Sequence, residues 1–378
     1  MPIDLPREQT RAWFALLRAP GLGAAGLRSL IARFDDAAAA LEHARRASEV
    51  PPAAREWLAA PDAALLDADE VWLAQPNHHL IAYASDDYPT LLRTAQNPPA
   101  ALFVAGDPAW LWSPQIAIVG ARSASTAGVA NARAFAKAFV QAGNVVTSGL
   151  AEGIDGAAHA AALDAGGATI AVLGTGPDLV YPRQHQELAA RIAAHGALVS
   201  EFPPGTPGRP EHFPRRNRII AALSLGTLVI EASVNSGSLI TARLAAEQGR
   251  EVFALPGSIH SPLSRGCHKL IRDGAKLVET AAEVLEELRG IGGLLAEGLR
   301  RRLADADAIA EPSAGLASSN HADDPDYARL LVALADAPLA LDELVTRSGL
   351  SAAALSSMLL VLELEGAVVA ENGRYARR

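Results

Sequence analysis

The residues with chemistry to offer are glycines, small hydroxyls and arginines, gathered in five short strings. Gly120-Ala-Arg122 comes first, then Ser148-Gly-Leu-Ala-Glu-Gly-Ile-Asp155 and Gly174-Thr-Gly176. Phe213-Pro-Arg-Arg-Asn-Arg218 and Asn235-Ser-Gly-Ser238 follow. Glycine lets a ligand approach the backbone. Bare N–H groups at helix starts bind anions, phosphate foremost. Ser148, Gly149, Gly174, Thr175, Gly176, Ser236, Gly237 and Ser238 are therefore candidate amide and hydroxyl donors, with Gly120 beside them. Arg122 is placed to clamp a phosphate through parallel hydrogen bonds. Arg183, Arg215, Arg216, Arg218 and Lys269 are further candidate cations. Asn217 is either a ligand contact or a partner for loop backbone, and Tyr181 either stacks on a ligand or packs.

Four of these strings follow apolar β-branched runs: Ile116–Val119, Asn144–Thr147, Thr169–Leu173 and Thr227–Ile230. A helix-like segment comes after each. Alternating strands and helices predict a Rossmann-like parallel sheet with helices on both faces, an α/β fold. Loops at the carboxyl ends of such strands gather in one crevice. That crevice holds phosphate rather than breaks bonds, since carboxylates are few.

Other chemistries fit less well. Dinucleotide binding needs Gly-x-Gly-x-x-Gly after the first strand and an acid ending the second. The chain has Gly120-Ala-Arg-Ser-Ala-Ser125 and Ser148-Gly149 instead, and no Walker-A spacing. Asp155 and His159 stand four apart, a spacing that can join them on a helix face. No serine or cysteine completes a triad with them, so a helix cap plus a packed histidine is the better reading. Cys267 beside His268 reads as a packed small residue rather than a nucleophile or metal ligand.

The chain has 378 residues, half of them hydrophobic, and a formal net charge of −9. Nothing attracts nucleic acid globally, so a polyanion must find a local patch. Arg209, Arg215, Arg216 and Arg218 supply one, opposed only by Glu211. Arginines at a helix start oppose its dipole, which itself points to an anionic ligand. There is no transmembrane run and no secretory leader. A single cysteine suits a reducing cytoplasm.

Four regions are expected. Residues 1–75 read as helical, with Pro20-Gly-Leu-Gly23 as a turn between two helices, either a helix-hairpin-helix or an ordinary αα-hairpin. Residues 76–290 are a connector, with one short strand at Ala101–Val104, followed by the α/β domain. Residues 291–325 are a linker. Residues 326–378 read as two helices and a hairpin around Asn372-Gly373, a winged-helix pattern. Its second helix, Ser351–Glu365, carries no Lys or Arg, which favours protein contacts or regulation over duplex DNA.

Taken together, the strings resemble the DNA-processing protein A family, DprA or Smf. The resemblance rests on Ile118–Arg122, Ser148–Asp155, Ala171–Gly176, Tyr181-Pro182, Phe213–Ile219, Ser236–Arg243, Pro256-Gly257 and Gly266-Cys267. It implies a helical SAM-like domain before the sheet and a winged helix after it. It also implies a non-catalytic protein that binds single-stranded DNA, protects incoming DNA in natural transformation and loads the RecA recombinase. Dimerisation through the Rossmann-like domain is implied too, with no cofactor, metal or membrane. Ala121 departs from the family's usual serine, and His185 and His268 stand where asparagine is common. The rival from the enzyme class is a nucleotide or nucleoside-phosphate hydrolase, with Glu152, Asp155 or Glu231 as its carboxylate. A third reading is an adaptor without affinity for oligonucleotides.

Overall fold

In a computed structural model, residues 6–34, 36–289, 329–330, 332–334, 339–348, 350, 355, 359, 368–371 and 374–377 are described. They belong to two compact units, divided after Ala304. The expected linker over 291–325 lies outside the described residues.

Nine strands make the sheet of the first unit: β1 His78–Ala82, β2 Ala101–Gly106, β3 Gln115–Gly120, β4 Val145–Ser148, β5 Thr169–Val172, β6 Ala197–Ser200, β7 Gly226–Ile230, β8 Glu251–Ala254 and β9 Lys276–Leu277. Their order is β1-β2-β6-β5-β4-β3-β7-β8-β9. Every pair from β6 to β9 is parallel, while β1 and β2 are antiparallel additions at one end. Strands β3 to β7 are almost wholly buried, as apolar runs covered on both faces must be. The connector thus supplies two strands, one more than its sequence predicts.

The helices are α1 Arg7–Arg18, α2 Gly23–Phe34, α3 Ala37–Ala44, α4 Pro52–Ala59, α5 Ala63–Leu73, α6 Thr90–Arg93, α7 Thr126–Gln141, α8 Ile154–Asp164, α9 Gln186–His195, α10 His212–Leu223, α11 Gly237–Glu247, α12 Arg265–Arg272 and α13 Ala281–Leu288. Helices α7 and α8 bury Ala132, Phe135, Phe139 and Ala158 against Ile116, Ile118, Leu228 and Ile230. Helices α10 and α11 bury Ile219, Ile220, Ala242 and Ala245 against Ala117, Val119 and Val229, the alternate residues of the same strands. The N-terminal helices share a core with the sheet: Phe14 stacks on Phe103 at 6.2 Å, and Trp72 meets the same ring edge-on at 5.7 Å. Arg18 ties this layer down by a two-pronged bond to the buried Asp69 and a 2.7 Å bond to the Pro204 carbonyl.

Between β3 and β7 the chain reverses its direction of travel across the sheet, and α7 and α11 leave to opposite faces. Such a switch point opens a crevice at the carboxyl ends of the two strands.

In the second unit, β10 Leu339–Ala340, β11 Val368–Glu371 and β12 Arg374–Arg377 form an antiparallel sheet in the order β10-β12-β11. The helix α14 Leu341–Ser348 stands where its sequence predicts. Leu330, Leu344, Leu355, Leu359 and Val368 form a small core. The expected hairpin is β11–β12, but its turn residues Asn372-Gly373 lie outside the described residues, as does most of Ser351–Glu365.

Candidate nucleic-acid interface

A cleft of about 700 Å³ occupies the switch point, lined by Gly120–Ser123, Asp155, Phe213, Arg216, Asn217 and Ser236–Ser238 among others. Gly120 and Gly153 make it possible by backbone packing. A Cβ on Gly120 would lie 2.0 Å from the Ile230 carbonyl oxygen of β7 and 2.6 Å from the Ile154 side chain of α8, so the glycine serves close packing of strand and helix rather than ligand approach. At Gly153, with φ of +74°, a Cβ would lie 2.3 Å from the Ala121 oxygen. The start of α8 can therefore sit on the β3 loop, where Ile154 N–H donates to the Ala121 carbonyl at 3.2 Å. That loop carries Arg122 outward. The Arg122 side chain is exposed, with its guanidinium 5.7 Å from the Phe213 ring centre. Tyr181, 53% exposed, leans on Phe213 at 5.3 Å and 45°. Arg122, Phe213 and Tyr181 thus make a cation-and-ring platform at the rim, where electron-rich ring faces favour the cation.

On the opposite wall α11 begins. Ser236 caps it, accepting from the Ser238 N–H at 3.4 Å, and the two serine oxygens are 2.7 Å apart. Gly237 is exposed with open space where a side chain would be. Asn217 fastens this helix start to α10 by donating to the Gly237 carbonyl at 3.4 Å, the backbone role its sequence allowed.

Several expected ligand donors are occupied by the fold itself. Ser148 is buried and donates to the Ile118 carbonyl at 2.6 Å. Gly149 admits a side chain rather than a ligand: a Cβ there would fall 2.2 Å from the Arg216 guanidinium. Gly174 seats the Phe213 ring, which would be 2.8 Å from its Cβ. Thr175 donates to the Leu179 carbonyl, and Gly176 N–H to the Thr206 carbonyl at 2.8 Å. The loop after β5 therefore builds a wall instead of an anion nest.

The arginine patch is divided. Arg216, 5% exposed, turns inward and donates to the carbonyls of Gly149 and Val172 and, at 2.9 Å, to Asn217 Oδ1. Burial lowers its pKa to about 10, with Asp155 pulling the other way. Arg215 and Arg218 point away from the cleft and share one buried carboxylate, Glu201. Arg215 also lies 5.1 Å from the Phe202 ring centre. The helical period explains the division, since residues 215 and 218 lie on one side and 213 and 216 on another. Arg183 is exposed just past Tyr181-Pro182. Lys269, also exposed, lines a separate groove with Arg243 and Asp273. Of the expected cations, only Arg122 and the inward Arg216 line the cleft.

Each carboxylate of the hydrolase reading is bonded to the scaffold. Asp155 accepts from the Gly149 and Ala151 amides at 3.1 and 3.4 Å. Burial raises its pKa, opposed by the Arg216 charge. Glu231 accepts from the Ser125 N–H at 2.8 Å and from its hydroxyl, which secures the start of α7. Glu152 accepts from Gln184 at 2.7 Å. Cys267 is buried with its thiol pushed up to about 11, consistent with a packed residue. His185 and His268 meet the Leu150 and Gly257 carbonyls, both at 3.0 Å.

His159 does not pair with Asp155. The Thr169 hydroxyl donates to the Val146 carbonyl, so His159 Nδ1–H must donate to Thr169, at 2.7 Å. Burial lowers its pKa to about 3. The unfolded chain therefore binds this proton below pH 6.5 while the folded chain refuses it until about pH 3. Stability conferred by neutral His159 is complete above pH 6.5 and is lost on acidification through that window. The whole span is on the order of 5 kcal/mol. Asp155, whose pKa is raised, contributes with the opposite sign. Urea unfolding of the wild type and His159→Gln at pH 7 and pH 5 isolates the histidine. The wild type should lose about 1–2 kcal/mol more than the variant; equal losses would show that His159 is not the buried neutral base.

Sequence reasoning missed Phe213 as a site residue, although it stands three before Arg216 in the first turn of α10. It also left open whether Tyr181 is a rim residue or a packed one.

Comparison with known proteins joins these observations. A family model described as DNA recombination-mediator protein A matches residues 79–289, and a DprA winged helix domain model matches residues 312–374. Protein Smf of Escherichia coli is 44% identical over 318 residues, 82% of this chain and 80% of that protein. DNA processing protein DprA of Bacillus subtilis is 46% identical over 209 residues, 55% of this chain and 70% of that one. The X-ray structure of DprA from Streptococcus pneumoniae superposes with a TM-score of 0.65 at 36% identity, covering 75% of this chain and 99% of its own. The Helicobacter pylori protein, whose structure is described for its single-stranded DNA binding mode, gives 0.50 at 28% identity, over 53% of this chain and 92% of its own. The chain belongs to the DNA recombination-mediator protein A family, DprA or Smf.

Proposed function

We propose that this chain binds single-stranded DNA at the β3–β7 cleft and acts without catalysis as a recombination mediator. The carrying observation is the exposed Arg122 facing the open start of α11 across the cleft, with the Phe213–Tyr181 pair on the rim. A phosphate would lie between Arg122 and the Ser236–Ser238 turn, and an unstacked base on Tyr181. Electrostatic contacts and ring faces together bind single strands with little sequence preference. Gly120, Ser148, Gly149 and Gly174 to Gly176 then act as scaffold, and Arg183 as an outlying contact.

Family membership and the single-stranded DNA of the H. pylori relative support this reading. Protection of incoming DNA in natural transformation, loading of RecA, dimerisation through the Rossmann-like domain and a cytoplasmic location belong to the same proposal. Among the described residues no helix is long and apolar enough to cross a membrane. The hydrolase reading gains nothing from three carboxylates already engaged with the scaffold.

Fluorescence anisotropy with single-stranded and duplex oligonucleotides at two salt concentrations tests the ligand. Tighter binding of the single strand, weakening steeply with salt, is expected. Equal binding of duplex, or release of base or phosphate from a mononucleotide, would overturn it. RecA filament growth on oligonucleotide coated with a single-strand-binding protein should accelerate when the chain is added. The divided arginine patch makes a further expectation. Arg215→Ala should change oligonucleotide affinity by less than about threefold, since Arg215 is paired with Glu201 outside the cleft.

A further inference from the structure

The sheet ends on β1, and among the described residues no strand pairs with its outer side. Gly106 N–H donates to the Asn77 carbonyl and Tyr83 N–H to the Ala100 carbonyl. Antiparallel ladders alternate, so residues 77, 79, 81 and 83 face β2 while 78, 80 and 82 face outward. His78 N–H bonds the Gln75 carbonyl, and the Ala82 carbonyl accepts from Ser85 N–H. Among the described residues nothing takes the His78 carbonyl, the Leu80 N–H and carbonyl, or the Ala82 N–H. These form one stretch of unfilled ladder.

Proteins ordinarily blunt such an edge with lysine, proline, a bulge or a covering segment. His78-His-Leu-Ile-Ala82 has none of the first two, and no bulge interrupts its register. Instead a groove of about 650 Å³ runs along it. Trp13 of α1 lines one part and Trp112 another, so the walls are partly aromatic. Asp36, Asp87 and Asp107 also line it, and among the described residues no lysine or arginine does. Asp36 accepts from Gln9 and Ala39, and Asp107 from Ala109; these donors are neutral, and neither carboxylate makes an ion pair with a described residue.

We propose that the β1 edge is a docking slot for an extended basic segment of a partner protein, which joins the sheet as a further strand. Main-chain hydrogen bonds give such additions their affinity and side-chain walls their selectivity. Here the walls ask for alternating cationic and apolar residues. A second copy of this chain is the poorer occupant, because β1 against β1 would bring two acidic rims together and supply no lysine or arginine.

The probe is a fluorescein-labelled peptide of about eight residues, alternating lysine with valine or threonine, titrated into the full chain. Binding is expected to weaken about tenfold or more when glutamate replaces lysine, and likewise when every second amide facing the edge is N-methylated. Asp36→Asn with Asp107→Asn should weaken it about tenfold; asparagine caps helices as well as aspartate, so α3 is preserved. Glu56→Gln with Glu187→Gln, exposed elsewhere, should leave it unchanged. Single-stranded oligonucleotide should neither compete nor bind differently to the aspartate variant, which separates this slot from the cleft. Absence of binding, indifference to N-methylation or to charge reversal, or a change in self-association of the aspartate variant in place of peptide loss would overturn the proposal.

Discussion

Arg216→Met should be among the most damaging single substitutions in the α/β unit, lowering stability by about 3–5 kcal/mol. Methionine keeps an apolar stem about as long as the aliphatic part of arginine and removes the guanidinium. Three acceptors then lose their donor inside the protein: the Gly149 and Val172 carbonyls and Asn217 Oδ1. Asp155, buried beside them, loses the charge that helps keep it ionised. A drop in melting temperature of roughly 6–15 °C is expected in a calorimetric scan. Arg216→Lys should recover only part of it, because Nη1 serves both carbonyls while Nε serves Asn217, and a single ammonium cannot reproduce the planar spread of the two nitrogens. Asp155→Asn combined with Arg216→Met should cost less than the sum of the two single changes by about 1–2 kcal/mol. Strict additivity would show that the two charges are independent and that Arg216 is held by its carbonyls alone. DNA binding should fall with the fold in every variant, and so does not by itself place Arg216 against DNA.

That inward turn marks the boundary of what the chain discloses before it folds. The alternation of strands and helices was legible because buried parallel strands must be short apolar runs and must end where the backbone turns. Gly120, Arg122 and Ser236–Ser238 were legible as neighbours for the same reason: loops after β3 and β7 meet at a switch point. The destination of Arg216 was not, since its carbonyl partners lie 67 and 44 residues away. Gly149 carries the same lesson. A glycine at a strand end admits any close neighbour, and only the fold decides between a phosphate and a guanidinium. Strand β1 escaped notice because a half-exposed edge with two histidines lacks both the apolar run and strict alternation. Arg215, Arg216 and Arg218 read as one patch in the sequence, although helical periodicity sets 215 and 218 apart from 216; the common neutraliser of the outer two, Glu201, comes from the end of β6, 14 and 17 residues earlier.

Arg122→Glu is expected to weaken single-stranded oligonucleotide binding by about 10–100-fold and to make it less dependent on salt. The protein is net acidic, and among the described residues the cleft holds one outward cation, so a large share of local attraction rests on this side chain. Reversal removes a phosphate contact and adds repulsion where the polyanion must enter. The log–log salt slope should fall by about 1–2. Stability should change by no more than about 0.5 kcal/mol, because the side chain is exposed and makes no ion pair with a described residue. Arg191→Glu is the matched control: Arg191 pairs with Asp164 between α8 and α9, does not line the cleft, and its reversal should leave affinity nearly unchanged. Tyr181→Ala separates the two kinds of contact. It should lower affinity without altering the salt slope, because a ring stacked on a base releases no counterions. If Arg122→Glu binds like the wild type, the cleft is not the DNA path. If Tyr181→Ala flattens the slope as Arg122→Glu does, the platform serves phosphate rather than bases.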